Sequence, residues 1–185
     1  MSSKFAKFVL CRVLGWTCVG NIPEDKCCIF LFAPHTSIWD FAIGYLYYRS
    51  MGGHLKAMIK KEAFFPPVGW LLKSLGGIPI DRKHPAEAIM GIVGKIEKGN
   101  GTFHLVICPE GTRKPIRKWK TGYHTIASRT GVPVYLGFMD YSRKVAGTGP
   151  KVELTADARA DTDRIQKMFE DMDLTALHPE GYCTH

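Results

Sequence analysis

No apolar run in this chain approaches the ~18 residues that a membrane-spanning helix needs, so the chain reads as one that does not cross a bilayer. Cysteine occurs at positions 11, 18, 27, 28, 108 and 183, never in the repeated short spacing of a zinc site or a redox dithiol. That argues against a bound metal and predicts mostly buried thiols in a reducing, cytoplasmic compartment. A cleavable leader is not expected either: Lys4 and Lys7 precede an apolar run, but Arg12 interrupts it and no small-residue cleavage site follows. Repeats, linkers and low-complexity tracts are absent, so no boundary divides residues 1–185 and a single domain is expected. Acidic residues are the scarcer charge, 17 against 25 basic, which leaves a net +8. Such a surface favours anions: a phosphorylated substrate, nucleic acid or an anionic bilayer.

What is present suits a packed globular domain, with 45% hydrophobic and 23% charged residues. Phe5, Phe8, Val9, Val13 and Trp16 share one helical face, so residues 1–22 read as an amphipathic helix, either packed on the domain or lying in a membrane interface. Short apolar runs at 27–33, 55–59, 78–80, 103–108 and 132–138 read as strands, with 151–154 as an edge strand. Helical patterns fall at 41–49, 67–75, 85–98, 119–130 and 161–172, several closed by glycine. Strands alternating with helices imply an α/β fold with a mostly parallel sheet flanked by helices.

Three polar clusters follow predicted strands: His35 with Asp40, Asp81 with Arg82, and Glu110 with Arg113. In open α/β sheets ligands gather beyond the carboxyl ends of the strands, so these clusters can share one cleft. Asp40 lies five residues beyond His35, close enough for the carboxylate to hold the imidazole Nδ1 proton if a helix begins between them. Nε2 is then available to take a proton from a hydroxyl. Cys108-Pro109-Glu110-Gly111-Thr112-Arg113 leaves a strand through proline and glycine, a turn that presents a guanidinium to a phosphate. Arg82 and Lys60 can extend a basic rim, and the run from Arg113 to Lys120 suits anionic headgroups. Each cluster taken singly also fits a capped turn or solvated surface charge.

In order, the clusters resemble the glycerolphosphate acyltransferase family, whose best-known members acylate lysophosphatidic acid. His35-Thr36-Ser37-Ile38-Trp39-Asp40 looks like its first block, and Gly77-Ile78-Pro79-Ile80-Asp81-Arg82 like its second. Pro109-Glu110-Gly111-Thr112-Arg113 is similar to its third and Gly131-Val132-Pro133-Val134 to its fourth, while Lys60-Lys61-Glu62 is similar to an intervening stretch. The resemblance spans residues 27–138. It implies an acyltransferase with His35 as general base, Asp40 as its orienter, and Ser37, Lys60, Arg82, Glu110, Gly111, Thr112 and Arg113 binding substrate. It further implies acyl-CoA or acyl-ACP as co-substrate, no other cofactor, and a lysolipid acceptor. Acyl carrier protein and an anionic membrane surface are the expected partners, nucleic acid is not, and attachment is peripheral, at the inner face of the plasma membrane. Backbone amides at the turn after His35 are the expected oxyanion donors. Pro34, Lys114 and Leu136 depart from residues common in the family, which leaves open a non-glycerol, amino-acid-derived acceptor. A non-catalytic module binding anionic membranes is the alternative of another class.

Overall fold

The strand that anchors the site is β2, Cys27–Ala33, whose residues alternate between two apolar environments. Ile29, Leu31 and Ala33 join one core cluster, while Cys28, Phe30 and Phe32 join a second, so the strand is covered on both faces. Its length and β-branched or aromatic content favour extended chain over helix. The structure, a computed structural model, describes residues 1–99 and 101–182.

Around β2 the chain lays down α1 (Ser3–Lys7), β1 (Thr17–Val19), α2 (Trp39–Ser50), β3 (Leu55–Lys60), α3 (Val68–Ser74) and β4 (Gly77–Ile80). It continues with α4 (Pro85–Glu97), β5 (Phe103–Ile107), α5 (Gly122–Thr130), β6 (Val134–Asp140), β7 (Val145–Val152) and α6 (Ala158–Asp171). The strands form one sheet in the order β1-β7-β6-β2-β5-β3-β4. β6, β2, β5, β3 and β4 run parallel, and β7 is antiparallel to β6. Helices α4, α5 and α6 cover the face of Ile29 and Leu31 through Ile92, Ile126 and Phe169, and α2 covers the other through Ile43 and Tyr47. The result is the single α/β domain with a mostly parallel sheet that the alternation of elements predicts.

Four expectations need correction. The helix expected over residues 1–22 comprises α1 and a π-helical continuation ending at Val13, because Gly15 turns the chain at φ 72° and Thr17–Val19 then pairs with β7. Its expected apolar face is split: Trp16 is buried, but Phe5, Phe8 and Val13 stand exposed while Ala6 and Leu10 pack inward. The edge strand expected at 151–154 is only the end of β7, which begins at Val145 and stops at Val152; β1 flanks Val145–Gly147, and Lys151 and Val152 pair with β6 alone. Its sequence, Val-Ala-Gly-Thr-Gly-Pro-Lys-Val, hides the strand because glycine and proline interrupt the apolar alternation. Finally, of the described cysteines only Cys28 is fully buried, and Cys11, Cys18, Cys27 and Cys108 are half-buried free thiols; Cys183 lies outside the described residues.

Candidate active site

Asp40 is the second residue of α2, where a carboxylate complements the positive end of the helix dipole. Its Oδ2 accepts the backbone N–H groups of Thr36 and Ser37, both at 2.7 Å, and so closes the turn that carries the chain from β2 into the helix. The same oxygen lies 3.4 Å from His35 Nδ1. Oδ1 accepts the Tyr141 hydroxyl at 2.7 Å. The Asp40 side chain is 1% exposed and that of His35 25%, so a sealed carboxylate backs a reachable imidazole.

Burial pulls the Asp40 carboxyl upward, but His35, the Ser37 amide and the Tyr141 hydroxyl outweigh it and hold it below its ordinary value. His35 moves the other way, to about 11. The Cys108 sulfur beside the ring is the largest influence, burial opposes it, and Asp40 adds to the rise by hydrogen bond and charge.

Glu110 stands in the turn after β5, beside the turn that carries His35. Its buried carboxylate accepts the His35 backbone N–H at 2.9 and 3.2 Å, so it clamps the turn after β2 to the turn after β5. Burial pushes Glu110 up to about 7, against the pull of the His35 N–H. Ser37 is also buried and spent locally, its Oγ accepting the Trp39 N–H at 3.2 Å. Thr112 Oγ1 accepts the Lys114 N–H at 3.2 Å. Gly111 takes φ 68°, a conformation that lets the chain reverse beside the Lys120 side chain. The amides of His35, Thr36 and Ser37, expected as oxyanion donors, are occupied by Glu110 and Asp40. Local spacing concealed this, because two carboxylates reach back to the same turn, one of them from 75 residues away.

The expected cations all follow the carboxyl ends of parallel strands: Lys60 ends β3, Arg82 follows β4 and Arg113 follows β5. These ends lie along the same edge of the sheet as His35, because β2, β5, β3 and β4 are parallel neighbours in that order. All three are exposed. At about 4.8 Å between strands, the strand of Arg113 lies one spacing from that of His35, and the strand of Arg82 three. Asp81 turns away to its own neighbours, accepting the Lys83 N–H at 2.9 Å and Lys61 at 2.5 Å. Two residues of the site escaped the sequence reading. Cys108 adjoins the Pro109-Glu110 turn, a visible signal, but Tyr141 lies 101 residues from Asp40 and carries no local mark.

A family model described as Acyltransferase matches residues 17–135. The chain belongs to the acyltransferase family. One relative is the chloroplastic 1-acyl-sn-glycerol-3-phosphate acyltransferase BAT2 of Brassica napus, 29% identical over a 137-residue alignment that covers 70% of this chain. The matched part is 38% of that relative's length. The crystal structure of the 1-acyl-sn-glycerophosphate (LPA) acyltransferase PlsC from Thermotoga maritima has the same fold, with a TM-score of 0.63 at 20% identity. That similarity covers 92% of this chain and 76% of the other. His35, Asp40, Arg82 and Arg113 fall inside the matched region, and Tyr141 falls outside it.

Proposed function

We propose that this acyltransferase moves a fatty acyl chain from an acyl-CoA or acyl-ACP thioester to the hydroxyl of a lysophosphatidic-acid-like acceptor. The observation that carries the reading is the reachable His35 imidazole backed by buried Asp40 at the carboxyl edge of the sheet. His35 Nδ1 faces Asp40, which leaves Nε2 to remove the acceptor's hydroxyl proton as its oxygen attacks the thioester carbonyl. The tetrahedral intermediate collapses with loss of the donor thiolate, which takes the proton from the imidazolium. Arg113, one strand away, is the first choice for the acceptor phosphate, with Lys60 and Arg82 further along the rim. Glu110, Gly111 and Thr112 serve by holding the turn that presents Arg113 and His35. No metal or further cofactor enters this chemistry.

The acceptor is a lipid, and the surface suits its delivery. Phe5, Phe8 and Val13 stand exposed in the N-terminal segment, Ile38 and Trp39 beside the catalytic turn, and Phe65, Trp70 and Leu71 at and before α3. With a net charge of +8, these residues favour shallow insertion into an anionic bilayer. No helix among the described residues is long and apolar enough to cross a membrane. We assign the protein a peripheral place on the inner face of the plasma membrane, its basic surface serving lipid headgroups rather than nucleic acid. Incubation with acyl-ACP or acyl-CoA and a panel of lysolipids and acylated amino acids, with products read by mass spectrometry, tests the assignment. A new acyl ester of lysophosphatidic acid supports it, acylation of the amino-acid lipids alone moves the acceptor class, and absence of every product defeats it.

A further inference from the structure

A continuous set of contacts leads from the N-terminal segment to His35, and it passes through the residue that lies outside the family match. β6 is parallel to β2, with Phe138 level with Ala33, so the turn after β6 emerges on the same edge as His35. The turn is tightly fixed: buried Asp140 accepts Ser142 Oγ at 2.7 Å and the Arg143 N–H at 2.8 Å. The Tyr141 N–H bonds the Thr175 carbonyl at 2.9 Å. From this anchored position Tyr141 donates its hydroxyl to Asp40 Oδ1 at 2.7 Å. The ring of the same tyrosine meets the Trp16 indole edge-on, with centroids 5.0 Å apart and planes at 86°.

Trp16 is where the N-terminal segment joins the sheet. It is 6% exposed, its N–H bonds the Leu10 carbonyl at 3.0 Å, and the next residue donates to the Lys144 carbonyl at 2.8 Å. Lys144 Nζ in turn donates to the Leu14 carbonyl at 3.3 Å. Thus the segment that exposes Phe5, Phe8 and Val13 is fastened to the very turn that presents Tyr141 to Asp40. Displacing that segment shifts Trp16, and the only ways for Tyr141 to respond are to follow it or to lose an aromatic neighbour worth a fraction of the packing at this edge.

We propose that Tyr141 is a positioning residue for the His35–Asp40 pair, and that its contact with Trp16 makes the alignment of His35 depend on how the N-terminal segment is seated on a lipid surface. The proposal rests on the assignment of acyl transfer and membrane attachment given above. Asp40 already receives two amides on Oδ2, so the Tyr141 hydroxyl is what fixes the rotation of the carboxylate about its remaining degree of freedom. A small misorientation there is carried directly into the direction of the imidazole.

The test is a double-mutant cycle on the full chain with Tyr141→Phe and Trp16→Leu, with Trp16→Phe standing in if the leucine variant does not fold. Activity is measured with a short-chain, monomeric lysophosphatidic acid, with and without phosphatidylglycerol vesicles, and the His35 ring is titrated by NMR. Tyr141→Phe is expected to lower kcat about tenfold with KM within about twofold. The double variant is expected to be no worse than Tyr141→Phe alone, vesicle activation is expected to shrink in both single variants, and the His35 midpoint is expected to move. Unchanged kcat and His35 midpoint in Tyr141→Phe overturn the positioning role, and losses that multiply in the double variant, or undiminished vesicle activation, overturn the coupling. If the wild-type protein transfers no acyl group, the catalytic assignment fails, and the His35 titration in the two variants still decides whether the contacts act on the ring.

Discussion

Among the described residues, two histidines pair at nearly equal distance with a fully buried aspartate, and only one of the two sits where chemistry can happen. His35 Nδ1 lies 3.4 Å from Asp40 and His124 Nε2 lies 3.2 Å from Asp161. The second pair joins α5 to α6: His124 also bonds the Thr155 carbonyl at 3.0 Å and Ser128 Oγ at 3.2 Å, so both ring nitrogens are used. Its side chain is 7% exposed against 25% for His35. Asp161, drawn up by burial but drawn down more by Arg164, Thr155 and His124, is held below its ordinary value, as Asp40 is. Pairing and a displaced pKa are therefore common to a structural clasp and a reactive pair. What separates them is access, together with a position at the carboxyl edge of parallel strands.

The contrast is broken most sharply by truncating each histidine in turn. His35→Ala is expected to lower kcat by roughly 10³-fold, as loss of a general base does, while the unfolding midpoint moves by only a few degrees. His124→Ala is expected to reverse the pattern, costing about 2–3 kcal/mol because buried Asp161 and the Thr155 carbonyl lose a partner, with kcat per folded molecule kept. Calorimetry and an acyl-transfer assay on the same preparations read both. Between these extremes, Arg113→Ala is expected to raise the acceptor KM at least tenfold and more than Arg82→Ala does, because its strand adjoins that of His35. Equal effects in steady-state kinetics would argue against the ordering by strand spacing.

Smaller effects concern pH. Cys108 raises His35, so Cys108→Ala is expected to move the alkaline-rising limb of kcat towards lower pH. Glu110 has its folded pKa raised from 4.5 to about 7, so the folded state keeps a proton that the unfolded chain gives up. Stability is therefore expected to fall as pH rises through that window, and Glu110→Gln is expected to flatten the fall in denaturant titrations. Glutamine still offers an oxygen to the His35 N–H, so its kcat should remain well above that of Glu110→Ala.

The parts of this design legible in the sequence are those written locally. β2 and β5 announce themselves as apolar runs closed by proline or a turn, and His35 and Asp40 stand five residues apart, within one strand-to-helix turn. β1 and all but the end of β7 were not legible, because Gly147, Gly149 and Pro150 blur β7 and β1 is three residues long within an apparent helix. The clamp by Glu110 and the contact of Tyr141 with Asp40 span 75 and 101 residues, and only the parallel pairing of β2 with β5 and β6 brings them together. For the same reason the turn amides looked available for an oxyanion, although the fold engages them from two sides.

The dependence of kcat on pH in Asp40→Asn against the wild type tests the core of this account most directly. Asparagine keeps the shape and removes the charge that supports the imidazolium. The expected result is a limb displaced towards the ordinary histidine value with a lower plateau at every pH; an unchanged limb and plateau would contradict a histidine oriented and tuned by its buried carboxylate.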